Sequence, residues 1–102
     1  MKIDLCQNMA DISGNVVKSQ DFPNGRPLWE LTVEALLAEK RDVALSGSQK
    51  LQRFTLAQRI AEGSGLFECK PEELTALRDA AEVLPTLAYG QVMQATNDPV
   101  SS

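Results

Sequence analysis

The chain has 102 residues, of which 43% are hydrophobic, and this is enough apolar material for one small domain with a modest core. Its formal net charge of −4 argues against nonspecific nucleic-acid binding, which depends on basic surfaces that release counterions from phosphates. No stretch is as long and apolar as a membrane helix, and the N-terminus lacks the apolar core of a signal peptide, so we expect a cytoplasmic protein.

The first 18 residues predict a small β-ribbon. In "KIDLC", apolar and charged residues alternate, which is the period-two pattern of a half-buried strand. Further on, Gly14 and Asn15 tolerate positive φ angles, so a tight reversal there would let Val16 and Val17 pair with the first strand. Because an isolated two-stranded ribbon is marginally stable in water, we expect it to pack on the helices that follow.

Residues 19–27 predict a loop, because two prolines and an Asn-Gly pair lie within this short segment. A first helix follows, from about Leu28 or Thr32 to Lys40. Apolar residues at helical spacing define the face that we expect to be buried. They are Trp29, Val33, Leu36 and Leu37.

A second helix is predicted from the cap at Ser46 to about Glu62. Ser46 and Gln49 have the spacing of a capping box, in which two side chains satisfy free amides at a helix start. A Gly-Ser-Gly sequence ends the helix. Apolar residues cover more than one narrow stripe of its surface, which favours a central position in the fold. They are Leu51, Phe54, Leu56, Ala57, Ile60 and Ala61.

The third helix begins at Pro71, because proline is tolerated in a first turn and the two glutamates after it complement the helix dipole. Apolar residues keep helical spacing through "LPTLAYGQ", where Pro85 either begins a further helix or kinks a continuing one. We interpret Gly90 as permitting close contact between helices, with the approach of a ligand as the alternative. Residues 97–102 are expected to form a frayed tail.

Together these elements predict a single α+β domain that is mainly helical. Residues 1–18 form the β-ribbon, residues 19–27 the loop, and residues 28–96 the three or four helices on which the ribbon packs.

Residues that commonly carry catalysis or bind metals are scarce. Histidine, the commonest general base near neutral pH, is absent. Cys6 and Cys69 therefore have no histidine to activate them, and in a reducing compartment we do not expect a disulfide between them. Glu72 and Glu73 are adjacent on a predicted helix, about 100° apart, so they do not converge as an acid–base pair. We predict no enzyme activity, no cofactor and no metal site.

Charge is distributed unevenly along the second half of the chain. Lys50, Arg53 and Arg59 lie on the second helix, whereas six acids lie in residues 62–82. We interpret this contrast as two neighbouring helices whose charges steer their packing. The alternatives are a basic helix that faces an acidic partner, or an acidic patch presented to a basic one.

The segment "FTLAQRIAEGSGLFECKPEELTAL" resembles a helix-turn-helix. Its second helix would begin Pro-Glu-Glu, and these acids would repel the phosphate backbone that a recognition helix must approach. Because of these acids, a DNA-associated regulator is the alternative function and not the leading one.

Partner binding through a helical surface is the leading hypothesis, because aromatic side chains are frequent interface anchors. For each aromatic residue the alternative is packing in the core, since so small a protein needs its aromatic side chains there. The candidate residues are Trp29, Arg53, Arg59, Phe67, Tyr89 and Met93.

The stretches "LSGSQKLQRFTLAQRI" and "PTLAYGQV", behind an N-terminal "KIDL" and "SGN", resemble short proteins of tailed bacteriophages and prophages. The resemblance spans most of the chain, and no catalytic residue accompanies it. The chain departs from it at "ALRDAAEVL", which lacks a basic run. The resemblance implies an auxiliary viral protein in the cytoplasm of the host cell. It would serve virion assembly, or modulate a host protein, by binding a host or phage protein or a second copy of itself.

Overall fold

Four helices and a two-stranded antiparallel sheet are found in the part of the chain that this computed structural model describes, which is residues 2–18, 20–38 and 44–97. This confirms the predicted α+β, mainly helical class. The described helices are all too short or too polar to cross a membrane. In chain order the elements are β1 (Lys2–Asp4), α1 (Leu28–Leu37), α2 (Gly47–Glu62), β2 (Leu66–Glu68), α3 (Pro71–Ala81) and α4 (Thr86–Asn97).

The predicted partner of the first strand was wrong. β1 pairs antiparallel with β2, and Ile3 lies opposite Phe67, rather than pairing with Val16 and Val17. Ile3 and Phe67 are both buried, whereas Val16 is exposed. The strand that can bury its central residue beside Ile3 therefore comes after α2 in the sequence, which local pairing rules do not reveal.

The predicted reversal at Gly14 is present, although it joins other residues. Gly14 has a φ of 90°, and Ala10 forms an isolated antiparallel bridge with Val16. The Asp11 amide donates to the Asn15 carbonyl at 2.7 Å across the turn. The reversal therefore folds residues 10–16 into a short turn beside the sheet.

The buried face of α1 is rotated from the predicted one and shares only Leu36 with it. Leu37 is exposed, and Trp29 and Val33 lie at the edge of the core. The amides of Leu28 and Trp29 donate to the carbonyls of Gln7 and Leu5, at 2.9 and 3.1 Å, and these bonds set the rotation of the helix. The residues that α1 buries are Leu28, Leu31, Thr32, Ala35 and Leu36. The predicted end at Lys40 lies outside the described residues.

α2 begins with the predicted capping box. The Ser46 hydroxyl accepts from the Gln49 amide at 3.2 Å, and the Gln49 side chain accepts from the Ser46 amide at 2.9 Å. The predicted central position of the helix was wrong, because only one face is covered and Leu51 is 64% exposed. The buried residues of α2 are Arg53, Leu56, Ala57 and Ile60.

Leu84 and Pro85 of "LPTLAYGQ" lie between two separate helices, and the rest of the stretch is the start of α4. α3 ends at Ala81, and the Pro85 carbonyl accepts from the Tyr89 amide at 2.8 Å in the first turn of α4. Pro85 therefore begins a further helix. The interpretation of Gly90 as a helix contact was wrong, because a Cβ atom added at this position would have no other part of the protein within 4 Å. Asn97, predicted as the start of the tail, is the last residue of α4, and the rest of the tail lies outside the described residues.

The core draws on every element. Its largest fully buried apolar side chains come from β1 and the residues just after it, from α1 and α2, and from α3 and α4. They are Ile3, Leu5, Leu28, Leu56, Ile60, Leu77 and Val92.

The capping box gives a stability prediction. Ser46→Ala removes the side-chain oxygen that accepts from the Gln49 amide, and we expect it to lower the free energy of unfolding by about 1 kcal/mol in urea titrations. Ser48→Ala is the matched control, because Ser48 is exposed in the same first turn. Equal stability of the two variants would show that the cap contributes nothing.

Candidate protein-binding groove

The predicted partner-binding residues are only partly on the surface. Phe67 is buried, and Trp29 and Tyr89 pack against the core cluster. All three aromatic side chains therefore contribute to packing in the core. Met93 is half-buried on α4. Arg53 is only 4% exposed. The structure therefore does not gather these candidates into one exposed face.

Two of the basic residues of α2, Arg53 and Arg59, face acids of α3. Arg53 Nη2 lies 2.8 Å from Asp79 Oδ2, and Arg59 Nη1 lies 2.7 Å from Glu73 Oε2. The two helices are therefore neighbours with paired charges, as the interpretation of the charge contrast requires. Arg59 also donates to the Glu68 carbonyl at 3.2 Å, which ties it to β2.

The helix-turn-helix resemblance does not extend to the geometry. Residues 63–70 connect α2 to α3 and contain the strand β2, whereas the motif joins its helices by a turn of about three or four residues. α3 begins with Pro71, Glu72 and Glu73, and the last of these is paired with Arg59.

Glu73 is held in its charged form. Burial opposes its ionisation, but the Lys70 amide donates to its carboxylate at 2.9 Å and Arg59 pairs with it. The net effect is to lower the pKa of Glu73 below its ordinary value of 4.5.

This shift gives a pH prediction. A carboxylate with a lowered pKa stabilises the fold above the unfolded pKa, near 4.5, and this contribution is lost as the pH falls through the folded pKa. We expect Glu73→Gln to have a lower free energy of unfolding than wild type at about pH 7. On acidification to about pH 3, the free energy of unfolding should fall less for the variant than for wild type. Urea titrations across this range measure it, with the exposed neighbour changed as Glu72→Gln for the control. Parallel pH profiles for wild type and Glu73→Gln would contradict the argument.

The two cysteines are reduced thiols with little tendency to ionise. Burial and the nearby Glu73 carboxylate raise the pKa of Cys69 to about 11. A hydrogen bond with Asp4 and partial burial raise the pKa of Cys6, whose thiol also donates to the Ser64 carbonyl at 3.3 Å. Because the thiolate is the nucleophile, neither environment activates a cysteine. Among the described residues, no group of side chains has the arrangement of a metal site.

Thiol alkylation tests this difference in burial. At about pH 8 we expect iodoacetamide to modify exposed Cys6 and to leave buried Cys69 unmodified until urea unfolds the chain. Intact-mass measurements follow the adducts, and Cys6→Ser should show none in the native state. Rapid native modification of Cys69 would show that this part of the core opens.

A groove of about 810 Å³ lies between residues 7–14 and α4. Gly90 lies on the α4 side, and the open space above it adds to the width of the groove. We call this feature the α4 groove. Sequence reasoning missed it, although "LPTLAYGQ" supplies most of its helical wall.

Gln91 fixes the two walls of the α4 groove to each other. Its side-chain oxygen accepts from the Ala10 amide at 2.8 Å, and its side-chain nitrogen donates to the Ala10 carbonyl. One glutamine thus satisfies both backbone groups of Ala10, as a neighbouring strand would.

Ile12 stands at the tip of a hydrogen-bonded turn on the rim of the groove and is 96% exposed. One Asp11 carboxylate oxygen accepts from the amides of Ser13 and Asn15, at 2.9 and 3.0 Å, which organises the turn around Ile12. The fold buries almost none of the Ile12 side chain. Packing within the protein therefore does not require an apolar residue at this position. The only sequence signal was an isoleucine inside a polar turn.

The chemistry of the groove is amide-rich and nearly neutral. Asp11 is the single charged residue among the described residues that line it, and Gln7, Asn8 and Gln94 supply amide donors and acceptors. Leu87 adds apolar surface beside them. Such a lining suits polypeptide, whose backbone carries the same donors and acceptors, better than it suits phosphates.

No protein-family model matches this chain, and no curated protein or solved structure matches it.

Proposed function

We propose that the chain is a non-enzymatic protein-binding module that engages its partner through the α4 groove. The observation that carries the proposal is Ile12, which is almost fully exposed on an organised turn beside this groove. An anchor held in place before binding loses little conformational freedom on association, which favours affinity.

Shape and charge support a polypeptide as the partner. The groove offers amide side chains and apolar surface, with Asp11 as the only charge among its described lining residues. Protein interfaces combine apolar contacts at the centre with hydrogen bonds around them. A nucleic-acid site would instead need clustered basic side chains.

The resemblance to short phage and prophage proteins supports an auxiliary viral role for this binding. The partner is then a host or phage protein, or a second copy of the chain, met in the host cytoplasm. Virion assembly and modulation of a host protein are the two roles that this resemblance implies.

Two variants test the groove while the fold is retained. Ile12→Ser removes the exposed apolar side chain, and Gly90→Leu fills space that no atom occupies. We expect each to weaken partner binding by about tenfold or more, the usual effect of losing an interface anchor. Leu51→Ser is the matched control, because it removes an exposed leucine from α2, away from the groove.

The measurement is capture by tagged full-length chain from bacterial lysate, with quantitative mass spectrometry, and light scattering for self-association. Proteins retained by wild type and Leu51→Ser should be lost with Ile12→Ser and Gly90→Leu, while circular dichroism confirms that all four are folded. If wild type self-associates, the same two variants should dissociate it. Capture and self-association that both groove variants leave unchanged would overturn the proposal.

A further inference from the structure

The wall of the α4 groove opposite the helix contains a residue whose backbone is unpaired among the described residues. Asn8 is exposed and lines the groove. Its side-chain nitrogen donates to the Asn24 carbonyl at 3.2 Å, but its backbone N–H and C=O have no hydrogen-bond partner in the described part of the chain. One backbone donor and one backbone acceptor are therefore open at this wall.

The hydrogen bonds of the neighbouring residues show which way these two groups point. The Met9 amide donates to the Arg26 carbonyl at 2.8 Å, and the Met9 carbonyl accepts from the Val17 amide at 3.0 Å, on the same side of the segment. In an extended chain, successive residues point their N–H and C=O groups to opposite sides. Asn8 and Ala10, which flank Met9 in isolated antiparallel bridges, therefore point theirs to the other side.

Ala10 identifies that other side as the helical wall of the groove. Both of its backbone groups bond to the side chain of Gln91 on α4. The N–H and C=O of Asn8 consequently face α4, two residues before the pair that Gln91 satisfies. Residues 8–10 are thus an edge at which Gln91 completes the pairing at one position, and the position of Asn8 is open.

The open position suits an extended segment of polypeptide better than a helix. A strand presents N–H and C=O groups along its edge, whereas a helix uses these groups internally. Asp11 is the only charged residue in the described lining, and its carboxylate already accepts from two amides of its own turn. The described lining therefore offers hydrogen bonds to a peptide backbone and no strong ionic contact.

Space for a side chain of such a segment lies on α4. A Cβ atom added at Gly90 would have no other part of the protein within 4 Å, and Leu87, one turn earlier, is 37% exposed. Alternate side chains of an extended segment point to the same face, so one of them lies over Gly90 when the backbone pairs with Asn8. An apolar side chain suits this position, because it contacts Leu87.

We infer that the partner enters the α4 groove as an extended segment that forms a β-bridge with Asn8. The backbone of the segment accepts a hydrogen bond from the Asn8 amide and donates one to the Asn8 carbonyl, and an apolar side chain packs on Leu87 over Gly90. This inference rests on the proposed function, because it specifies how a partner uses the same groove. Main-chain pairing supplies affinity, and the space at Gly90 supplies sequence preference.

A displayed library of random short peptides is the probe, selected on the full chain and counter-selected on Gly90→Leu. The tightest peptide is then synthesised with its backbone nitrogens methylated one at a time, since each methyl group removes one N–H donor. We expect methylation at one position to weaken binding by about tenfold or more in calorimetry. Methylation at the positions on either side should have little effect, because their N–H groups point away from Asn8.

Amide hydrogen exchange of the full chain reports on the bridge at Asn8. In the free chain we expect the Asn8 amide to exchange rapidly and the Ala10 amide, which donates to Gln91, to be protected. With the selected peptide at saturation, exchange of the Asn8 amide should slow by about tenfold or more.

Two substitutions at one position separate the backbone donor from the side chain. Asn8→Pro removes the N–H together with the side-chain bond to Asn24, whereas Asn8→Ala removes the side-chain bond alone. We expect Asn8→Pro to bind the selected peptide about tenfold or more weakly than Asn8→Ala does. Circular dichroism tests whether both fold. If Asn8→Pro does not, the methylated peptides and the exchange of the wild-type chain decide.

The inference is overturned by a library that yields no binder, by equal binding of all the methylated peptides, or by an Asn8 amide that is protected in the free chain or unprotected in the complex. Protein capture separates these failures from failure of the groove. Proteins that are lost with Ile12→Ser and Gly90→Leu, but retained equally by Asn8→Pro and Asn8→Ala, would keep the groove and exclude the bridge. Capture that both groove variants leave unchanged would exclude the groove itself.

Discussion

The backbone of Leu5 joins three segments that are distant in the sequence, and much of the structure depends on this junction. Its amide donates to the Gly65 carbonyl at 2.8 Å, and its carbonyl accepts from the Trp29 amide at 3.1 Å. Gly65 has a φ of 100°, and a Cβ there would lie 2.8 Å from the Trp29 ring and 3.0 Å from the Leu5 carbonyl. The close approach of these backbones therefore requires glycine. Because Leu5 itself is fully buried, the junction lies in the core.

The α4 groove follows from that junction. Beyond Leu5 the chain continues along the start of α1, where the Gln7 carbonyl accepts from the Leu28 amide and the Met9 amide donates to the Arg26 carbonyl. Gln91 then holds Ala10 against α4, and the Asp11 turn projects Ile12 beyond it. One side of the groove is thus fixed by backbone hydrogen bonds and the other by a helix, which leaves the open space between them above Gly90.

Arg59 and Arg53 of α2 differ in how completely their guanidinium groups are paired with acceptors. Arg59 is paired with Glu73 and with the Glu68 carbonyl, so its role in holding α2 to α3 and β2 accounts for its position. Among the described residues, Arg53 is paired through one terminal nitrogen only, and its buried position makes the other nitrogen costly to leave unpaired. The same helix therefore carries one cation that packing explains and one that packing explains incompletely.

Local signals in the sequence determined the helices. The capping box at Ser46, the proline at Pro71 and the apolar spacing in "EELTALRDAAEVL" depend on neighbours within one or two turns, and the structure has helices at each of these places. The α+β class followed from the same signals. Only the tertiary structure decided the partner of β1, the rotation of α1 and the covered face of α2, because each depends on contacts between residues far apart in sequence. The α4 groove is of the second kind: its walls meet through Ala10 and Gln91, whose hydrogen bonds no local periodicity encodes.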